Sequence, residues 1–338
     1  MIAPPWVPVP PPAYGGIENV VAGLTRELAD RGHDVALVAA PGSAVSGARV
    51  IGVLEHVPDA FGHVEADLAH GLGAYDALAA ADVIVDHTGP SGALLSAWSE
   101  VPALHVCHNR IDGPAGDTIR GVARRVRDLR LIAISRAQRR LQPLFPFAGV
   151  CPNGIDVDAQ PFHARHGGSL AFVGRMSPDK GPDAAIRIAR LAGMPIRIAA
   201  KCRDAGERAY FDAHVRPLLG PDAEWLGELS GPDARALMAD AAALVFPIDW
   251  PEPFGMVMIE AMASGTPVLA RPFGAVPEIV DDGVTGFVRL HEDELAACAV
   301  QLARIDRRAC RARVRERFSL TAMADAYERL LSATVASR

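Results

Sequence analysis

Two glutamates, Glu252 and Glu260, stand in the segment DWPEPFGMVMIEAMASGTPV (Asp249 to Val268), the first in a Pro-rich turn and the second inside an otherwise apolar run. A carboxylate surrounded by Met256, Val257, Met258, Ile259, Ala261, Met262 and Ala263 is costly when unpaired. It therefore needs hydrogen bonds from a basic side chain, from backbone or from ligand hydroxyls. Glu252 precedes the first helical turn, where the free N–H groups of residues 254 to 256 and the helix dipole attract anions, so a phosphate could dock there. At most roughly 12 Å of helical rise separates the two carboxylates. That is too far for one acid/base pair on a single bond, and suited to different ends of one elongated ligand. Taken singly, Glu252 reads equally as an exposed turn residue and Glu260 as a member of a buried ion pair.

The cations add to this. The chain has 34 basic residues, of which only Lys180 and Lys201 are lysines. In LAFVGRMSPDKGPDAAI an apolar, strand-like run ends at Gly174, followed by Arg175, a Pro turn and a new helix. Arg175 and Lys180 then lie at the C-terminal edge of a strand, the edge at which open α/β sheets bind ligands. A planar fork beside a flexible point charge suits a diphosphate. Lys201 ends the next strand, PIRIAA, on the same edge, as a nucleotide contact or as a plain surface lysine.

The spacing Glu252-x7-Glu260, with Pro-Phe-Gly directly after the first glutamate and then EAMASGTPVLA, resembles the signature of family 4 glycosyltransferases, retaining enzymes of the GT-B fold. The resemblance implies that Glu252 faces the donor sugar, that the backbone N–H groups of Phe254, Gly255 and Met256 meet sugar and phosphate, and that Glu260 binds ribose hydroxyls. It makes G-R-x-x-x-x-K-G, here Gly174 to Gly181, the loop whose Arg175 and Lys180 hold the donor diphosphate. PPPAYGGIE followed by RGHDV resembles the family's N-terminal loop, which closes over donor phosphate and acceptor and places Gly15 and Gly16 beside the donor. That family's first strand normally runs several residues into this loop, whereas only Met1-Ile2-Ala3 precede Pro4; the strand is stunted or the chain begins late, and a late start predicts lower stability.

ADVIVDHTGP and VPALHVCHNR read as buried strands ending in polar residues, with His87 and His108 at their ends. His108 aligns with the family's strand-end histidine beside the reacting sugar, which makes His108 and Glu252 the candidate catalytic residues. His56, His63 and His70 recur every seven residues, but Pro58 and Gly62 interrupt any single helix, so they are read as surface. Asp156-Val157-Asp158 has the D-x-D form of metal-dependent transferases, yet CPNGIDVDAQPF resembles the family's N-G-x-D turn, and no metal is expected. Gly71-Leu72-Gly73 lacks the preceding strand and third glycine of a dinucleotide loop.

Stepping out from these residues, alternating strand and helix patterns run through the chain of 338 residues, 50% hydrophobic and 22% charged. That fits an α/β protein of the GT-B class, two Rossmann-like parallel-sheet domains facing across a cleft. The expected division is an acceptor-side domain over 1–165, a donor-binding domain over 166–317 and a C-terminal helix over 318–338 crossing back to the first domain. Ile119 to Arg140 holds eight arginines and reads as an amphipathic helix, with Ile119, Val122, Val126 and Leu129 turned to the core; docking on an anionic membrane is the less favoured use. Five scattered cysteines without a C-x-x-C pair suggest neither a disulfide framework nor a zinc site. A net charge of −6 argues against nucleic-acid binding. With no run of eighteen apolar residues and no signal-peptide pattern, a cytoplasmic protein is expected. The expected reaction is metal-independent, retaining transfer of a sugar from a nucleotide-diphosphate donor, a UDP-sugar favoured, to a hydroxyl acceptor. A glycosyl phosphorylase and a non-catalytic nucleotide-sugar binding subunit are the alternatives.

Overall fold

The computed structural model describes residues 1–12, 15–59 and 61–337. The chain divides into two compact units, Met1–Ile155 with Leu320–Arg338, and Asp156–Ser319. The sequence placed the first boundary near 165. The contacts place it at Ile155, because the stretch after Asp156 is tied to its own unit: the His163 carbonyl accepts from Arg307, and the Gln160 carbonyl from Arg311.

The first unit alternates helices and strands: α1 (Gly16–Asp30), β1 (Val35–Val38), β2 (Ala48–Ile51), α2 (Val64–Ala77), β3 (Ile84–Asp86), α3 (Pro90–Leu95), β4 (Ala103–Cys107), α4 (Gly113–Ala123), β5 (Arg130–Ala133), α5 (Arg136–Leu141) and β6 (Phe147–Val150). β1 pairs with β2, and β3 to β6 pair in sequence order, all parallel. Met1–Ala3 joins the two sets. Ile2 bridges Val38 on one side and Asp86 on the other, so three residues serve as the central strand. The spatial order is then the doubly wound one, reversing between Met1–Ala3 and β3. Helix α1 buries Val20, Val21, Leu24 and Leu28 as its periodicity predicts. The C-terminal helix Leu320–Ala336 packs on α1, with Arg31 paired to Asp325 and Glu328.

Two expectations change here. Ile119 to Arg140 is not one helix: α4 ends at Ala123, and the apolar run LIAI enters β5. Ile119, Val122, Val126 and Leu129 are nevertheless all buried in one cluster. His70 is not on the surface; it is fully buried, with Nε2 2.8 Å from the Ala3 carbonyl, because α2 covers the central strand. Gly71 and Gly73 lie inside α2, where a Cβ would meet Leu95 at 2.4 Å and Val53 at 3.0 Å, so their role is close packing.

The second unit runs β7 (Leu170–Arg175), α6 (Pro182–Leu191), β8 (Ile196–Lys201), α7 (Ala205–Tyr210), β9 (Ala223–Trp225), α8 (Gly231–Asp240), β10 (Ala243–Phe246), α9 (Met256–Ala263), β11 (Val268–Ala270), α10 (Val276–Ile279), β12 (Gly286–Val288), α11 (Glu292–Cys298) and α12 (Arg307–Arg317). Its six parallel strands are ordered β12-β11-β10-β7-β8-β9. The order reverses between β7 and β10, so the loops leaving these two strands diverge and open a crevice at their C-terminal ends, the ligand position of such sheets. Both motif loops, Met176–Gly181 and Pro247–Gly255, leave from there.

Candidate functional site

In the second unit, Arg175 is the last residue of β7 and stands in register with Lys201, the last of β8. The chain then turns so that the amides of Lys180 and Gly181 both donate to the Ser177 carbonyl. Arg175 reaches Asp179 at 3.0 Å and stays half-exposed. Gly181, at φ 68°, starts α6 against the Pro247 carbonyl, which a Cβ would approach to 3.1 Å.

Lys180 points across the switch point. Its Nζ donates to Glu252 Oε2 at 2.5 Å and lies 4.8 Å from the centroid of the Trp250 ring. Glu252 is buried rather than an exposed turn residue, at 8% exposure. Its carbonyl accepts from the Ala275 amide at 2.9 Å, and Gly274 packs so closely that a Cβ there would stand 2.1 Å from that carbonyl oxygen. Sequence reasoning missed Trp250 and Gly274; a glycine following a strand end was the only signal for the latter.

Gly255 carries φ 86° and caps α9, and a Cβ on it would meet Met258 Cε at 2.6 Å. Phe254 buries its ring edge-on against Phe318, so only its backbone faces outward chemistry. Among the described residues no backbone carbonyl accepts from the amides of Phe254, Gly255, Met256 or Val257. Such a helix end suits an anion. Lys201 makes no ion pair among the described residues. Beyond it, Arg203 forms a two-pronged pair with Glu228 at 2.8 and 2.9 Å.

Glu260 has no hydrogen bond or ion pair for its carboxylate among the described residues. Burial pushes its pKa up from 4.5 to about 7, opposed by the charge of Arg235 on α8. The sign follows: the folded protein keeps a proton that the unfolded chain releases, so ligand-free stability falls as pH rises from about 4.5 to 7, by about 2–3 kcal/mol. A ligand whose hydroxyls donate to Glu260 needs the carboxylate. Affinity for such a ligand is expected to weaken about tenfold between pH 8 and pH 6, measured by calorimetry. Glu260→Gln is expected to flatten that profile, weaken binding at pH 8 and raise the ligand-free Tm there; a sloping profile in the variant refutes the assignment.

In the first unit, Gly15 caps α1, a Cβ on it meeting Glu18 Oε2 at 2.7 Å, while Gly16 has open space at its Cβ position. Glu18, in the first turn of α1, is buried, and burial raises its pKa. His87 and His108 follow adjacent strands, and their rings meet: His87 Nδ1 lies 2.7 Å from His108 Nε2. Burial drives His87 well below its usual range and His108 to about 4, so both are neutral near pH 7. The structure thus gathers Arg175, Lys180, Lys201, Glu252, Phe254, Gly255, Met256 and Glu260 at one edge of the second sheet, and Gly15, Gly16 and His108 on the first unit.

The D-x-D aspartates are engaged. Asp158 pairs with Arg315 at 2.6 Å and Arg311 at 3.4 Å, and Asp156 accepts from the amides of Asp158 and Ala159. Among the described residues no helix is long and apolar enough to cross a membrane.

Comparison with known proteins follows the division of the chain. Residues 14–159 match the family model Glycosyltransferase Family 4, and 167–305 match Glycosyl transferases group 1. D-inositol 3-phosphate glycosyltransferase of Mycolicibacterium paratuberculosis is 40% identical over 121 residues, 35% of this chain and 27% of that protein. The match thus spans about a quarter of that relative's length. AviGT4, a glycosyltransferase involved in avilamycin A biosynthesis, superposes with a TM-score of 0.74 at 26% identity over 99% of this chain and 95% of its own. Anabaena Alr3699/HepE in complex with UDP and glucose shares the fold, with a TM-score of 0.74 at 20% identity over 94% of this chain and 96% of its own.

Proposed function

Starting from a chain that belongs to the family 4 and group 1 glycosyltransferases, we propose that it transfers a sugar from a nucleotide-diphosphate sugar to a hydroxyl acceptor, with retention of anomeric configuration and without a metal. The observation that carries this reading is the row of groups at the β7/β10 switch point: Arg175 and Lys180, the open N-terminus of α9, the buried Glu252, and Glu260 without a partner. Cations and helix end suit a diphosphate, Glu260 suits ribose hydroxyls, and Glu252 suits the sugar. An ammonium has three donors, so Lys180 can keep Glu252 and still serve a phosphate oxygen.

The departing diphosphate gathers negative charge, and fixed positive groups that need no reorganisation stabilise it. Arg175, Lys180 and the amides of Phe254 to Met256 take the place of a divalent cation. The commitment of Asp158 to arginines and of Asp156 to backbone supports the metal-free reading. Glu252 holds sugar hydroxyls and orients the oxocarbenium-like state. The leaving phosphate oxygen takes the acceptor's proton on the face it leaves, which yields retention. His108, by its resemblance to the family's strand-end histidine, is the polar group read beside the reacting sugar.

Thermal-shift screening with UDP-, GDP- and ADP-sugars identifies the donor, a UDP-sugar being expected. NMR of the product is then expected to show an α-linkage from an α-donor with one nucleoside diphosphate released per transfer. A β-linked product overturns retention. Turnover that depends on inorganic phosphate without nucleotide binding points to a phosphorylase, and binding without turnover over a broad acceptor panel to a non-catalytic subunit.

A further inference from the structure

β3 and β4 are neighbours in the sheet, so the residues that follow them, His87 and His108, emerge side by side. Their rings meet edge to edge, with centroids 5.1 Å apart and planes at 22°, and Nδ1 of His87 sits 2.7 Å from Nε2 of His108. Two neutral imidazoles make that contact only when one donates a proton and the other accepts it.

The surroundings decide which. His87 is 3% exposed, and its Nε2 is buried with no partner among the described residues. The carboxylate beside it, Asp86, is already occupied by the hydroxyls of Tyr75 and Thr88 and the Thr88 amide, and faces His105 at 3.5 Å. Were His108 the donor, His87 would carry its own proton on Nε2 as a buried N–H without an acceptor, the rarest kind of unpaired polar group. The reverse arrangement leaves only a bare lone pair there. It also puts the His108 proton on Nδ1, the ring nitrogen that the pair leaves free.

We propose that His87 is the positioning residue of the sugar site: its Nδ1–H holds Nε2 of His108, fixes that ring, and leaves His108 Nδ1–H as a neutral donor to an oxygen of the reacting sugar or acceptor. This rests on the proposed reading of His108 as the histidine beside that sugar. It also assigns His108 a definite chemistry. With its basic nitrogen engaged by His87, His108 donates a hydrogen bond and does not remove the acceptor's proton, which goes to the departing phosphate.

The test uses the full chain with ¹⁵N-labelled histidine, and assigns His108 by the peaks lost in His108→Gln. Long-range ¹H–¹⁵N spectra are expected to show His108 protonated at Nδ1, and His87→Phe, which keeps a ring but removes the donor, is expected to convert it to the Nε2–H form or a mixture. His87→Phe is expected to lower kcat about 10- to 100-fold with donor KM nearly unchanged, and His87→Asn, whose amide N–H stands where Nδ1–H stood, to restore most of it. An Nε2–H spectrum in the wild type, or a spectrum indifferent to His87→Phe, overturns the assignment of His87 even where His108→Gln is inactive. Full turnover in His108→Gln overturns the underlying reading of His108, and the proposal with it, whatever the spectrum shows.

Discussion

Glu252→Gln is expected to lower kcat about 100- to 1,000-fold while leaving the donor's KM within a few-fold, and Lys180→Met to lose a similar factor in kcat/KM. In the proposed mechanism both residues act where charge develops on the departing diphosphate and the sugar, so their removal is expected to be felt mainly in the transition state. Because the two side chains are in direct contact and both largely buried, the double variant is expected to lose much less than the product of the single losses. Stability runs the other way. Either single variant leaves one buried charge without its partner and is expected to lower Tm. Lys180→Met with Glu252→Gln removes both charges and is expected to be as stable as the wild type or more so, while inactive. Steady-state kinetics and calorimetry on the three variants check both halves. Wild-type turnover in Glu252→Gln refutes the catalytic assignment, and additive losses refute the coupling.

The second large effect concerns Arg307, which no motif singles out. Its guanidinium is 2% exposed and makes four hydrogen bonds: to the carbonyls of His163 at 2.7 Å, Ala241 at 2.8 Å and Ala239 at 2.8 Å, and to the Thr266 hydroxyl at 2.6 Å. A planar fork thereby ties α12 to the end of α8, to the turn before β11 and to the segment leading into β7. Arg307→Ala strands these acceptors together and opens a cavity, and is expected to cost the second unit about 3–5 kcal/mol. Arg307→Lys keeps the charge but not the fork, so it is expected to recover less than half of that loss. Urea unfolding followed by intrinsic fluorescence reads the midpoint shift; a change under about 1 kcal/mol in Arg307→Ala removes the clamp from the account.

What could be read in the sequence and what could not divide on a physical line. The positions of Arg175, Lys180, Glu252 and Glu260 in the fold were legible because each sits at a fixed offset from a strand end or a helix start, and local chain geometry alone sets that position. The parallel sheets of both units were legible from the alternation of strand and helix patterns. His70 was not, because its partner is the Ala3 carbonyl and nothing within α2 reveals it. Gly274 was not, because its need for a bare Cα comes from the Glu252 backbone in another loop. Arg307 stands in RRACRARVRER, where every arginine looks alike until Ala239, Ala241 and Thr266 are folded around one of them. The helix expected over Ile119 to Arg140 failed on continuity: its apolar spacing was right for burial, but α4 stops at Ala123 and the chain passes through β5 before a second helix, α5, begins at Arg136.

The C-terminal helix Leu320–Ala336 belongs to the unit that begins at Met1, whereas Asp156–Ser319 is continuous. During synthesis, therefore, the segment made first cannot finish first. When Ile155 has left the ribosome, α1 still lacks the helix that covers it, and the Gly149 region still lacks Leu330. At about 5–20 residues per second the missing piece arrives roughly 10–40 s later, after the whole of the inserted unit has been made and has had time to fold. The nascent chain thus completes its middle before its beginning, and for that interval the flank of α1 that the C-terminal helix covers stays open to solvent.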